Sequence, residues 1–140
     1  MKSNLKLLLL VAFLISNRLI AQNPGEWVWV HGDTSGLFNG VFGTQGISAP
    51  TNKPHGLYEA GQWTDLNGNF WLFGGTDNNL DSFAALWKYD PITNQWTWMK
   101  GPQVPNFIGN FGSLGVPSVT NLPPSGRLGI STWTDPDNNL

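Results

Sequence analysis

Gln95-Trp96-Thr97-Trp98-Met99-Lys100-Gly101 repeats, later in the chain, the tryptophan alternation of Glu26-Trp27-Val28-Trp29-Val30-His31-Gly32. Phe111-Gly112-Ser113-Leu114-Gly115 follows Phe42-Gly43-Thr44-Gln45-Gly46 in the same register. Because tryptophan is a rare residue, matched tryptophan and glycine positions at one fixed spacing indicate an internal repeat. Repeated units each need neighbours that cover their apolar faces. The sequence therefore predicts a stack of similar units.

The repeat continues on both sides of these segments. Asn52-Lys53-Pro54 returns as Asn121-Leu122-Pro123 at the same spacing. After a slip of a single position, Gln62-Trp63-Thr64-Asp65 returns as Thr132-Trp133-Thr134-Asp135. The two copies can therefore be compared position by position along most of the chain.

Four short strands are predicted in the middle of the chain, separated by turn residues. They cover residues 57–65, 69–75, 85–89 and 95–99. Asn67-Gly68, between the first two strands, predicts a tight hairpin with a type I′ turn, in which both residues have a positive φ. Residues 90–94 predict a second tight turn, because an aspartate opens it and a proline fixes the next φ.

The side-chain pattern predicts which faces of these strands are buried. Residues 69–75 are apolar on both faces, which predicts an inner strand covered by neighbouring sheets. The glycine pair Gly74-Gly75 at its end predicts a close approach of two chain segments or a backbone bend. Trp87 and Tyr89 share one face of the third strand by the two-residue period.

The fourth strand alternates Trp96 and Trp98 with Thr97, so both indoles point the same way. This alternation predicts an outer strand with one buried face and one face in water. Four antiparallel strands followed by a restart of the pattern are typical of one blade of a β-propeller.

The chain resembles the kelch repeat in Phe73-Gly74-Gly75, in Leu86-Trp87-Lys88-Tyr89-Asp90 and in Trp96. It is similar to the long-period bacterial variety, in which a loop such as residues 101–124 separates blades. The resemblance implies an all-β fold, a kelch-type β-propeller with about one complete four-stranded blade at residues 57–101 and parts of two others. It also implies structural roles at the repeat positions, which are Trp63, Gly74, Gly75, Trp87, Tyr89, Trp96, Arg127 and Trp133.

Arg127 matches an arginine that the family tends to carry at the start of the first strand, whereas the earlier copy has Leu57 there. A closed propeller ring needs roughly four to eight blades, and this chain holds fewer than two. We therefore expect the front end of a larger propeller or a truncated product, with assembly of several copies into a ring as the alternative. Open blade edges predict self-association or aggregation.

Residues 1–21 have the pattern of a signal peptide. Two lysines precede the apolar residues 7–15, and Ala21 is a small residue before a cut ahead of Gln22. The apolar stretch is much shorter than the ~20 residues that span a membrane as a helix. We expect residues 22–140 to be the mature chain, secreted or on the cell surface, with an uncleaved N-terminal anchor as the alternative.

Composition excludes several classes of partner. From Gln22 onward the chain carries four basic and nine acidic residues, a net charge of −5. This charge argues against nucleic acid or an anionic membrane surface as a partner, since both need clustered lysine and arginine. The chain has no cysteine, so an exported form has no disulfide framework and must be stabilised by burial. Eight tryptophans and eight phenylalanines provide that burial.

Candidate chemical sites are few. His31 and His55 are the only histidines, and we interpret them as loop residues because a metal site needs further converging ligands. Residues 65–69 and 77–81 are rich in side chains that carry oxygen. A calcium-binding loop has glycine at its sixth position and glutamate at its twelfth, and neither stretch meets this pattern. We therefore interpret both as turns. The kelch-like galactose oxidase uses a tyrosine crosslinked to cysteine, a residue that this chain lacks. No catalytic, cofactor or metal site is predicted.

The sequence therefore predicts a non-catalytic, exported scaffold that recognises a protein or a glycan. Its recognition surface is expected on the blade-connecting loops, residues 37–54 and 107–124, because recognition usually lies on loops that a rigid scaffold supports. Two alternatives remain open. One is an N-terminal fragment of a larger extracellular carbohydrate-active or oxidase enzyme, and the other is a truncated gene product without activity of its own.

Overall fold

The structure is a computed structural model that describes residues 25–35, 38–126 and 128–139. The described residues fall into two units, residues 25–30 and the unit that begins at His31. Residues 25–30 belong to no strand, although their sequence copies the fourth predicted strand. Among the described residues, no helix is long and apolar enough to cross a membrane. The predicted cleavage site at Ala21 and Gln22 lies outside the described residues.

The second unit contains one antiparallel sheet of four strands whose order in the sheet is their order in the chain. The strands are β1 Gly61–Thr64, β2 Phe70–Phe73, β3 Leu86–Asp90 and β4 Gln95–Lys100. The predicted all-β fold and four-stranded blade are thus confirmed. β1 begins later than predicted because Glu59 has a φ of 55°, outside the strand region. Pairing resumes beyond it as an antiparallel bridge between Tyr58 and Thr76.

The glycine pair after β2 both bends the chain and allows a close approach. Gly74 and Gly75 have φ values of 70° and 88°, a region that L-residues with a side chain rarely adopt. A Cβ atom on Gly75 would lie 2.9 Å from the Cβ of Ala60 and 3.1 Å from the carbonyl oxygen of Tyr58. The end of β2 can therefore run against the segment that precedes β1 only because this position lacks a side chain.

One face of the sheet forms the aromatic core, and we call it the Trp87 face. Leu72, Trp87 and Trp98 stand side by side on it by strand register, and Trp87 is only 1% exposed. Phe42, from the loop before the blade, lies 4.9 Å from the Trp87 ring and 5.4 Å from the Trp98 ring between centroids. Truncation of a buried tryptophan typically costs about 3–5 kcal/mol, so this contact contributes strongly to the stability of the blade.

The opposite face carries Trp63 and Trp71 in register, and we call it the Trp71 face. Their rings stack with 6.3 Å between centroids. The second copy of the repeat contacts β1, because Thr132 donates from Oγ1 to the Gln62 carbonyl at 2.6 Å and Thr134 repeats this contact with Thr64. Each bond joins a residue to its equivalent in the earlier copy. Consecutive repeats therefore associate in register, as a stacked architecture requires.

The hairpin between β1 and β2 is confirmed, but its predicted turn type is wrong. Gly68 has a φ of 82°, whereas Asn67 does not have a positive φ as a type I′ turn requires. The Asp65 carboxylate determines this difference, because its Oδ1 accepts the backbone N–H groups of Asn67 and Asn69, each at 2.9 Å. The Gly68 N–H donates to the Asp65 carbonyl. The result is a longer aspartate-capped turn that places only its fourth residue in the left-handed region.

The same aspartate-capped turn occurs twice more. Asp77 accepts the N–H groups two and four residues later, and Leu80, the fourth residue of the turn, has a φ of 65°. Asp135 does the same in the second copy, where Asn138 has a φ of 65°. The oxygen-rich stretches 65–69 and 77–81 thus form turns, and their aspartate oxygens bind N–H groups of the chain.

The expectation of a wet face on β4 is wrong. Thr97 is buried, at 6% exposed, while Trp96 and Trp98 on the other face are half-buried. Thr97 pairs with Lys88 and shares the Trp71 face with it. Long side chains such as lysine lay their aliphatic stems along the surface, and they cover a small neighbour such as Thr97 more completely than a large one.

Candidate functional site

A groove of about 320 Å³ brings together both histidines and an ion pair beside the blade. We call it the His31–His55 groove. It is lined by His31, Gly32, Asp33, Ser35, Phe38, Lys53, Pro54, His55, Gly56 and Trp96. All but Trp96 come from residues 31–56, so the groove is formed by the first blade-connecting loop, the residues that flank it and one residue of β4.

The first loop is fixed in place at its base and at its tip. At the base, Val41 and Lys53 exchange two backbone hydrogen bonds of 2.8 and 3.0 Å, and the Gly56 N–H donates to Phe38. At the tip, the Gly46 N–H donates to the Trp98 carbonyl at 2.8 Å. The groove is therefore built on a loop whose conformation is set by backbone hydrogen bonds.

Asn52 holds the loop and the blade together from inside. It is fully buried, and its amide nitrogen donates to the carbonyl of Ile47 at 2.9 Å and to that of Trp96 at 3.1 Å. Its Oδ1 accepts no hydrogen bond from the described residues and lies against Gly43, where a Cβ atom would be only 2.2 Å away. Glycine at this position is therefore a steric requirement of the buried amide.

The charged part of the groove is one half-exposed ion pair. Lys53 Nζ lies 3.1 Å from Asp33 Oδ2 and 3.9 Å from the centroid of the Phe38 ring. The Ser35 backbone N–H and then Lys53 hold the pKa of Asp33 below its usual value of 3.8. Asp33 is therefore ionised at neutral pH, and the lysine also makes a cation–π contact with the Phe38 ring.

His55 forms an uncharged wall of the groove. Its ring lies 4.2 Å from the Phe83 ring and 5.8 Å from the Phe42 ring between centroids. Burial lowers its pKa below the ordinary 6.5, and the nearby charge of Asp77 only partly opposes this shift. The imidazole is therefore mainly neutral at pH 7. Among the described residues, no group of three or more His, Cys, Asp or Glu side chains converges as a metal site.

The second copy repeats the backbone of this loop with different side chains at the positions that form the groove. Asn110 and Leu122 exchange hydrogen bonds of 2.8 and 2.7 Å, as their equivalents Val41 and Lys53 do in the first copy. At the positions of His31, Asp33, Lys53 and His55 the second copy has Lys100, Pro102, Leu122 and Pro124. The sequence interpretation missed the groove because it treated each histidine alone. The signal that could have identified these four residues as a group is that all four differ from their equivalents in the second copy.

The repeat-motif residues occupy the sheet and its borders. Trp63 and Trp133 line a second cleft of about 320 Å³ where residues 130–133 meet the Trp71 face. Tyr89 and Trp96 pack together on the Trp87 face with 5.1 Å between ring centroids. Arg127 lies outside the described residues. Of these repeat-motif residues, only Trp96 belongs to the groove.

Comparison with known proteins agrees with this architecture. A family model of the Kelch motif matches residues 61–103, which include all four strands of the sheet. No curated protein and no solved structure matches the chain. Kelch motifs in general mediate protein interactions. Residues 61–103 therefore carry a Kelch motif, and the all-β sheet that they form is consistent with a blade of a β-propeller.

Proposed function

We propose that this chain is an exported, non-catalytic interaction scaffold that binds a protein partner at the His31–His55 groove. One observation carries the proposal. The loop backbone follows the repeat, while four residues that line the groove, His31, Asp33, Lys53 and His55, depart from it. Packing between repeats accounts for the shared positions, and it does not account for the departures.

The geometry of the groove suits recognition. Because its loop is held to β4 by hydrogen bonds, little conformational entropy is lost when a partner binds. The Asp33–Lys53 pair is only partly exposed, and its lysine lies over the Phe38 ring. A partner that displaces water here strengthens its own interactions with both charges. The groove therefore favours an exposed peptide segment that presents an apolar side chain next to a charged one.

A non-catalytic role agrees with the chemistry of the groove. Asp33 is engaged by Lys53 and by the Ser35 N–H, so its carboxylate is a poor proton acceptor. The chain has no cysteine that could serve as a nucleophile or as part of a radical cofactor. These observations support binding, with specificity supplied by charge and shape.

Photo-crosslinking tests the proposal. Benzoylphenylalanine at Phe38 is expected to crosslink a protein of the native exterior, and Lys53→Leu, which installs the residue of the second copy, should abolish that crosslink. Ile92→Ser, in the exposed β3–β4 turn and outside the lining of the groove, is the matched control and should leave it unchanged. The same crosslink in the Lys53→Leu protein would overturn the proposal. So would a glycan array in which Lys53→Leu removes binding of a sugar, since the partner would then be a glycan.

Export is tested separately. The N-terminal sequence of the protein recovered outside the cytoplasm is expected to begin at Gln22. Recovery of the full chain in the cytoplasm would contradict this part of the proposal and would leave the groove experiment interpretable.

A further inference from the structure

The sequence contains two Asn-Gly pairs, and the fold places them in different surroundings. Asn39-Gly40 lies in the first loop beside the His31–His55 groove, and Asn67-Gly68 lies in the turn between β1 and β2. An asparagine that precedes glycine can react with the backbone, because no Cβ atom keeps the next backbone nitrogen away from the side-chain carbonyl. Both asparagines are exposed, so exposure does not distinguish the two pairs.

A backbone contact of the repeat requires the glycine at position 40. A Cβ atom there would lie 3.0 Å from the backbone nitrogen of His55 and 2.7 Å from its Cδ2 atom. A Cβ atom on the equivalent Gly109 would lie 3.0 Å from the backbone nitrogen of Pro124. Both copies therefore have glycine for the same close approach, whereas only the first copy has an asparagine, Asn39, before it. Position 39 thus departs from the repeat, as the four groove residues do.

Hydrogen bonds hold the other pair in a conformation that opposes the reaction. The Gly68 N–H donates to the Asp65 carbonyl at 3.0 Å, and the Asn67 N–H donates to the Asp65 carboxylate at 2.9 Å. To react, the Gly68 nitrogen must break its bond and lose its proton near that carboxylate, whose charge opposes a second negative charge. Within the described part of the chain, the Gly40 N–H and the Asn39 side chain have no hydrogen-bond partner.

We propose that Asn39 is a modification site at which the side-chain amide deamidates spontaneously in the folded protein. The Gly40 nitrogen gives its proton to a base in the solvent and attacks Asn39 Cγ. A C–N bond forms, and the side-chain nitrogen takes up a proton and leaves as ammonia. Water then opens the cyclic imide at one of its two carbonyls. One opening gives aspartate, and the other gives isoaspartate, in which the backbone passes through the former side chain.

The products change the charge of the loop, and one of them also changes its length. Each adds a carboxylate next to Phe38, whose ring centroid lies 3.9 Å from Lys53 Nζ. Isoaspartate also adds a methylene to the backbone between two fixed points, the Phe38 carbonyl that accepts the Gly56 N–H and the Val41–Lys53 pair. The isoaspartate form should therefore be less stable than the aspartate form. The reaction does not require a partner in the groove, so it and the proposed recognition fail independently.

Peptide mapping by mass spectrometry after incubation at mildly alkaline pH tests the proposal. In water enriched in heavy oxygen, each conversion incorporates the label into the new carboxylate. Asn39 should be converted faster than Asn67 by about fivefold or more, the rate ratio that corresponds to one hydrogen bond that must first be broken. The same incubation in urea is the control, because the two pairs should react at similar rates in the unfolded chain. Equal rates in the folded protein, or an unchanged ratio in urea, would overturn the proposal.

Two variants test the position and its effect on the loop. Asn39→Ile installs the residue of the second copy, Ile108, and should form acidic species on ion exchange more slowly than the wild type. Formation at the wild-type rate would overturn the assignment to Asn39. Asn39→Asp carries the charge of the product without the added methylene. The isoaspartate-rich fraction of the incubated wild type should unfold at a lower urea concentration than Asn39→Asp, and equal midpoints would overturn the proposed effect on the loop.

Discussion

The buried amide of Asn52 offers a direct test of how the first loop stabilises the blade. Asn52→Ala removes two neutral hydrogen bonds, to Ile47 and Trp96, from a fully buried position. Each bond contributes about 1 kcal/mol, and the lost volume adds a cavity term, so the free energy of unfolding should fall by about 2–4 kcal/mol. Asn121→Ala is the matched control in the second copy, where one bond to Val116 is lost and water can replace it. Its cost should be only about 0.5–1 kcal/mol.

Urea unfolding followed by tryptophan fluorescence measures both variants. The change appears as a shift of the midpoint without a change of slope. Association of chains would stabilise the folded state and make the measured stability depend on protein concentration. The two variants are therefore compared at the lowest workable concentration and again at a tenfold higher one. Equal losses in the two variants would refute the reasoning, because they would show that the contact between the loop and β4 adds nothing to the repeat backbone.

Three further perturbations follow from the structure. Asp65→Ala should lower the free energy of unfolding by about 2–3 kcal/mol, because it removes the hydrogen bonds of the turn and leaves the Trp71 indole N–H without its acceptor. Asp135→Ala should lower it by clearly less, because that side chain is exposed and accepts from Asn139 where Asp65 accepts from an indole; urea unfolding measures both variants. Gly43→Ala should destabilise the protein more than Gly46→Ala does. Both glycines have a positive φ, but only the alanine at position 43 would place its methyl group against the buried Asn52 amide. Equal urea midpoints of the two variants would contradict this. His55→Phe should flatten the pH dependence of stability. Burial holds the pKa of His55 in the folded chain below 6.5, so the unfolded chain binds the proton at a higher pH than the folded chain does. The stability of the wild type therefore falls as the pH drops below about 6.5, and that of the variant should fall less. Parallel wild-type and variant profiles of urea midpoint against pH would count against that assignment.

Local patterns in the sequence were sufficient for the strands and their order. Apolar residues on both faces of β2 and the alternation in β3 are properties of a few consecutive residues, and the structure has both strands at those places. The turn after β1 was predicted with the wrong geometry, because the Asn67-Gly68 pair is outweighed by the Asp65 carboxylate just before it. Such a competition between side-chain and backbone hydrogen bonds is not visible in a dipeptide.

Contacts between distant segments could not be predicted. Phe42 covers Trp87 from a loop far earlier in the chain, and no local period links the two residues. For the same reason the groove could not be assembled from His31 and His55 alone. Comparison of the two copies does separate these residues from the shared frame, so the information was present in the sequence as a difference between repeats.

The aspartate-capped turns bear on how such repeats can diverge. Their fourth position is glycine in one turn, leucine in another and asparagine in the third, namely Gly68, Leu80 and Asn138. A left-handed conformation costs a residue with a side chain roughly 1–2 kcal/mol. The charge-assisted hydrogen bonds that backbone N–H groups donate to the aspartate are large enough to offset this cost. One carboxylate thus makes the remaining turn positions tolerant of mutation. Copies of the repeat can lose their sequence likeness at these sites while their hairpins keep the same shape.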